Sequence, residues 1–195
     1  YIAFEVASRL SVPIGLCVLQ SDAISALAIA KAVGGKFIRV PYYTETYIVD
    51  AGTMESVAAD ALRFRKMIEA GDVKIFADVH IKHGYSLSRR SIEESAEDAY
   101  ERGLADAIIV TGKKTGGKTK SEDVEAVRNY LPDVPLIVGS GVTQENLSEY
   151  FPKLCDAVIV GTSLKKDGKT EGPIDPERVR QFSKSMEKCR KELDR

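Results

Sequence analysis

The chain has 195 residues, 44% of them hydrophobic and 29% charged, and its 28 basic and 29 acidic side chains leave a net charge of −1. That balance is ordinary for a globular chain and lacks the strongly basic footprint of an electrostatic nucleic-acid binder, so no nucleic-acid partner is expected. Three scattered cysteines, Cys17, Cys155 and Cys189, with no CxxC pair, argue against a disulfide framework and a structural zinc site, and for a reducing, cytoplasmic compartment.

In chain order, residues 1–10 place Ile2, Val6 and Leu10 four apart, which predicts a helix. Six short apolar runs follow, at residues 13–19, 37–42, 74–79, 107–111, 135–140 and 157–162. Their length and their Val and Ile content predict buried strands. Helical apolar spacing fills 22–33, where Asp22 is expected as the N-cap, and 54–70. Ser91-Ile-Glu-Glu94 is a capping box ahead of an amphipathic run that ends at Gly103. Ser121 is expected to cap a helix over 122–131, and Thr143 one that reaches Tyr150. Asp175-Pro176 pairs an N-cap with proline at the first helical position. No apolar run approaches the ~20 residues that span a bilayer, so no integral membrane segment is expected.

Strict alternation of strand and helix implies a parallel sheet with helices outside it. Strand starts recur about every 29 residues, close to the ~31 per unit of an eight-stranded (β/α) barrel of ~250 residues. Six units behind a leading helix predict one domain over residues 1–195: a TIM barrel whose first two β/α units are missing from this chain.

Ligands of this fold sit at the carboxyl ends of the strands. In Lys74-Ile-Phe-Ala-Asp-Val-His-Ile-Lys82 side chains alternate, so Asp78, His80 and Lys82 are expected to share the inner face. A carboxylate, an imidazole and an amine together can do acid–base work, and a lysine of lowered pKa can form a Schiff base. His80 and His83 make a poor metal pair, because residues three apart on a strand face opposite ways. Arg39, between apolar neighbours, is expected to point inward, either to bind an anion or to pair with Asp78 for structural reasons. Two glycine turns follow the last two strands: Gly139, Ser140 and Gly141, and then Gly161, Thr162 and Ser163. Glycine permits close backbone approach and consecutive amides can cradle an anion, with help from a following helix N-terminus. They are the expected phosphate-binding residues; the alternative is two tight turns. No motif calls for a metal or a cofactor.

One competitor is Gly112-Lys-Lys-Thr-Gly-Gly-Lys-Thr119, which fits G-x-x-x-x-G-K-[ST] after a strand and before a helix. No later strand ends in an acidic residue suited to holding magnesium, and the helix cap at Ser121 leaves Lys118 in a loop. A Lys/Gly/Thr-rich surface loop is the preferred reading of this stretch.

Taken as an ordered series, Pro13-Ile-Gly-Leu, Phe37-Ile-Arg-Val40, Ile75-Phe-Ala-Asp-Val79, Lys82-His83, Ala105-Asp-Ala-Ile-Ile-Val-Thr-Gly112, Gly139-Ser-Gly-Val-Thr-Gln-Glu-Asn146 and Ile159-Val-Gly-Thr-Ser-Leu-Lys165 resemble the BtpA family, over about residues 10 to 182. The resemblance implies a phosphate-binding TIM barrel and a link to photosystem I biogenesis in phototrophs. It also implies relatives elsewhere that look like enzymes of sugar or nucleoside metabolism. The expected partner is a small phosphorylated ligand, met by lyase, isomerase or hydrolase chemistry; homo-oligomerisation is left open. The alternatives are a non-catalytic assembly factor and the P-loop nucleotidase.

Overall fold

The computed structural model describes residues 1–81, 83–112 and 118–193. Contacts gather the chain into two compact units: Tyr1–Val79 with Gly84–Ile108, and His80–His83 with the residues from Ile109 onward.

The first unit opens with α1 (Ile2–Arg9), β1 (Gly15–Leu16), α2 (Ala23–Val33) and β2 (Phe37–Val40). Then come β3 (Tyr47–Val49), β4 (Gly52–Met54), α3 (Ala58–Met67), β5 (Lys74–Val79) and β6 (Gly84–Ser86). α4 (Ile92–Glu97) runs on into a π-helical turn, Asp98–Arg102, before β7 (Ala107–Val110). The second unit carries α5 (Ser121–Tyr130), β8 (Leu136–Val138), α6 (Leu147–Tyr150), β9 (Ala157–Val158) and α7 (Pro176–Leu193).

All six apolar runs of the sequence supply strands of one sheet, in the order β1-β2-β5-β7-β8-β9. Pairing is parallel where Gly15 lies opposite Phe37, Phe37 opposite Lys74 and Ile137 opposite Ala157. β7 and β8 are buried at every position, which is why they read as continuous apolar runs rather than alternating ones. Ile38 and Ile75 are fully buried on neighbouring strands, each worth about 2 kcal/mol of transfer free energy. α2 lays Ala23, Ala26, Leu27 and Ala30 inward. Asp22 caps it by accepting from the Ser25 amide at 2.9 Å, and Gly34 ends it with φ +73°. The Ser91–Glu94 capping box is present, and Asp175 accepts from the Glu177 amide ahead of Pro176.

Three expectations need correction. The helix predicted over 54–70 begins only at Ala58. The chain before it forms an antiparallel hairpin, β3 with β4, and β6 adds to β3 to complete a separate sheet in the order β4-β3-β6. The Tyr43 carbonyl holds Ser56 Oγ and the Val57 and Ala58 amides, so helical turns cannot start earlier. Thr143 does not cap α6, which is four residues long and starts at Leu147. Ser121 is the first helical residue of α5 rather than its cap, which is Lys120.

Candidate functional site

On the first unit's parallel strands, one face is built in two levels. Phe37 stacks on Phe76 with ring centroids 4.6 Å apart. Gly15 makes room for this stack, since a Cβ there would come within 2.0 Å of the Phe37 ring. Two residues further along each strand, alternation puts Arg39 and Asp78 on that same face. Arg39 Nε donates to Asp78 Oδ1 at 2.8 Å and Nη2 to Oδ2 at 2.6 Å, a bidentate pair whose carboxylate side chain is wholly buried. Burial acts against the guanidinium charge, but the Asp78 hydrogen bonds outweigh it and raise the Arg39 pKa. Cys17, just past the end of β1, lies close enough to Arg39 and Asp78 to feel both charges. Its thiol pKa is raised, first by burial of the sulfur, with Arg39 pulling it down; the residue surface as a whole is exposed. The sequence reading passed over Cys17 because only the β1–β2 register places it there.

Alternation stops at the end of β5. His80 is exposed and takes φ +46°, so the strand geometry that would align it with Asp78 ends at Val79. His83 also has a positive φ, +62°. Lys82 lies outside the described residues. Among the described residues no group of three His, Cys, Asp or Glu side chains could hold a metal ion, and no helix is long and apolar enough to cross a membrane.

The glycine turns belong to the second unit. The Gly139 amide donates to the Val110 carbonyl at 2.8 Å, and a Cβ at Gly139 would lie 2.6 Å from Ile109 Cγ2 and 3.0 Å from Thr111 Cγ2. Only glycine lets β8 end so close to β7. Gly141 has φ +65°. Ser140 between them is 5% exposed, and its Oγ has no hydrogen-bond partner among the described residues. Three successive carbonyls here are taken: Thr119 Oγ1 donates to Ser140 O at 3.0 Å, Asn146 Nδ2 to Gly141 O at 3.0 Å and Ser163 Oγ to Val142 O at 2.8 Å. Ser163 thereby ties the second glycine turn to the first. That second turn winds into a short 3-10 helix, Thr162–Leu164, after Gly161, where a Cβ would meet open space. The helix N-terminus expected to assist the first turn is absent, since α6 starts six residues beyond Gly141 and is a single turn. Asn146 closes the Gly-Val-Thr-Gln-Glu-Asn run and Thr119 closes the Walker-like match, but neither pattern places its side chain on the carbonyls of this turn.

Most of the Walker-like stretch, residues 113–117, lies outside the described residues. Its Lys118 pairs with Glu149 at 2.5 Å and its Thr119 is buried against the Ser140 turn. In the first unit a cavity of about 370 Å³ is lined by Thr44, Glu45, Thr46, Leu87, Ser88 and Arg90. Glu45 accepts from the hydroxyls of Ser88, Ser95 and Tyr47 at 2.5, 2.9 and 2.8 Å. Burial acts to raise its pKa, but these hydroxyls outweigh it and hold it below the ordinary carboxylate range. Arg90 is paired with Asp98.

An alternating parallel sheet of this order has the strand-and-helix pattern of a TIM barrel. Solved structures agree. Phosphoribosylanthranilate isomerase from Pyrococcus furiosus superposes with a TM-score of 0.62 at 16% identity, covering 95% of this chain and 79% of that one. KGPDC from Streptococcus mutans gives 0.63 at 11% identity, covering 96% and 78%. The BtpA family model matches residues 1–188, and the chain belongs to the BtpA family. It is 41% identical over 174 residues to the photosystem I biogenesis protein BtpA of Synechocystis, across 89% of this chain and 60% of that protein. It is 39% identical over 179 residues to an uncharacterized protein of Pyrococcus furiosus, across 92% and 66%. The chain thus spans about 60% to 66% of the length of these two relatives.

Proposed function

We propose that this protein binds the phosphate group of a small phosphorylated sugar or nucleoside at the turn of Gly139, Ser140 and Gly141, with Gly161, Thr162 and Ser163 flanking it. The observation that carries the reading is the buried Ser140 hydroxyl with no partner among the described residues. A buried hydroxyl left unpaired costs about 1–3 kcal/mol, and such a cost is retained where the group serves a ligand. The Ser140, Gly141 and Val142 carbonyls are engaged elsewhere, and no hydrogen bond from the amides of these three residues is made among the described residues. An anion is the partner that several donors without acceptors favour. Structural neighbours named for phosphoribosyl chemistry support the ligand class.

On the same reading, the candidates for a lyase, isomerase or hydrolase step are Asp78, supported by Arg39, in the first unit and His80 and Lys82 in the second. The carboxyl end of a strand is where this fold carries its reacting groups. The test is thermal unfolding with ribose 5-phosphate against ribose. Saturating ribose 5-phosphate, at about 100 times its Kd, stabilises the protein by about 2.7 kcal/mol, whereas ribose does nothing. Ser140→Ala has a paired signature: it raises the stability of the free protein by about 1 kcal/mol and shrinks the ribose 5-phosphate effect. Equal stabilisation of wild type and Ser140→Ala, or none by any phosphorylated compound, rejects the reading.

A second reading, a non-catalytic factor in photosystem I biogenesis, is favoured by the 41% identity to the Synechocystis protein of that name. It requires that photosystem I subunits be captured equally by wild type, Asp78→Asn and Lys82→Met.

A further inference from the structure

The phosphate turn is oriented by a residue that none of its own neighbours in sequence would suggest. A peptide unit is planar, so a carbonyl fixed in one direction sets the following N–H in the opposite one. Thr119 fixes the Ser140 carbonyl and with it the Gly141 amide; Asn146 fixes the Gly141 carbonyl and with it the Val142 amide. Ser163 fixes the Val142 carbonyl, and the amide that follows, of Thr143, donates to Asn146 Oδ1 at 2.8 Å. The Gly141 and Val142 amides therefore point opposite to these fixed carbonyls, and neither donates to an acceptor among the described residues.

Asn146 is local and Ser163 belongs to the flanking turn. Thr119 is different. It stands 21 residues from Ser140, is fully buried, and is itself held by Tyr150, whose hydroxyl donates to the Thr119 carbonyl at 2.5 Å. Tyr150 is likewise fully buried. Valine would fill the Thr119 position equally well, so what the hydroxyl adds there is its hydrogen bond to the turn.

We propose that Thr119, held by Tyr150, is a positioning residue for the phosphate-binding turn: its hydroxyl turns the Gly141 amide toward the bound phosphate. This rests on the phosphate-binding reading above, and the experiment separates the two. Calorimetric titration with inorganic phosphate and with ribose 5-phosphate is carried out on wild type, Thr119→Val, Thr119→Ser and Tyr150→Phe. Loss of one oriented donor weakens binding about tenfold in Thr119→Val, while Thr119→Ser stays within about twofold of wild type. In nitrogen-labelled protein the Gly141 amide resonance moves on adding phosphate, and moves less in Thr119→Val. If wild type binds, Thr119→Val binds equally well and only its melting temperature falls, Thr119 is a packing residue and the proposal is wrong, although phosphate binding stands. If wild type binds neither compound, both fall. Should Thr119→Val not fold, Tyr150→Phe decides: about threefold weaker binding supports the proposal, and unchanged affinity overturns it.

Discussion

Arg39 and Asp78 show how one contact can be read in two ways. The sequence put an arginine inside an apolar run and an aspartate at the end of another. The structure joins them with two hydrogen bonds, and the carboxylate side chain is fully buried. A pair of this kind is costly to break and cheap to replace. Asp78→Asn alone should therefore lose about 3 kcal/mol of unfolding free energy, as should Arg39→Met, while the double variant loses markedly less than their sum. Urea unfolding of the four proteins measures the coupling; additive losses mean that the pair does not act as a unit. At Gly139 the constraint is steric. Gly139→Ala drives a methyl into Ile109 Cγ2 and should cost about 1–3 kcal/mol, read by the same method.

At the scale of elements, the same latch occurs in both units. Asp106, just before β7, accepts from the Ile75 amide at 2.9 Å and pairs with Arg65 of α3, whose guanidinium also reaches the Val73 carbonyl. Asp156, just before β9, accepts from the Leu136 amide at 2.7 Å and pairs with Arg128 of α5, which also reaches the Val134 carbonyl. Each aspartate ties the start of the neighbouring strand to a helix. These latches lie at the amino-terminal ends of strands, where conserved chemistry of this fold serves stability rather than catalysis. Asp156→Ala should lower unfolding free energy by about 1–3 kcal/mol while leaving phosphate affinity unchanged. A changed Kd in the folded variant would contradict that division of labour. The capping box of α4 makes a smaller claim of the same kind: Ser91→Ala should cost about 1 kcal/mol.

For the whole molecule, stability has a defined pH window. Asp22 and Glu145 have pKa values lowered by hydrogen bonds, to Ser25 and Thr143 respectively, and Glu45 is lowered by its ring of hydroxyls despite burial. A group whose folded pKa is depressed stabilises above its unfolded value, and that contribution is lost as pH falls. Glu45 is the buried one of the three. On the alkaline side, burial pushes Tyr43 up to about 12 and Cys155 up to about 11. Both favour the neutral form, so their stabilisation is full below the unfolded values and is lost as pH rises. The urea midpoint should be flat between about pH 5 and 8 and should fall on both sides. Glu45→Gln should flatten the acid limb. An acid limb unchanged by that variant would place its origin elsewhere.

Six parallel strands, the cap of α2, the capping box of α4 and the start of α7 were legible in the sequence by itself. Each depends on residues within a few positions of one another: an apolar run buried on both faces, a side chain reaching an amide three residues on, a proline that fixes φ. What only tertiary structure decided depends on contacts between distant residues. The helix predicted over 54–70 starts only at Ala58, because the β3–β4 hairpin and the Tyr43 carbonyl hold the residues before it through contacts that helical spacing does not encode. Glu45 is charged yet buried because Ser88 and Ser95 come to it from 43 and 50 residues away. Glycine spacing marked the turn of Gly139, Ser140 and Gly141, but the Ser140 carbonyl, and with it the direction of the Gly141 amide, is held by Thr119, 21 residues earlier in the chain, through a hydrogen bond that no local pattern encodes.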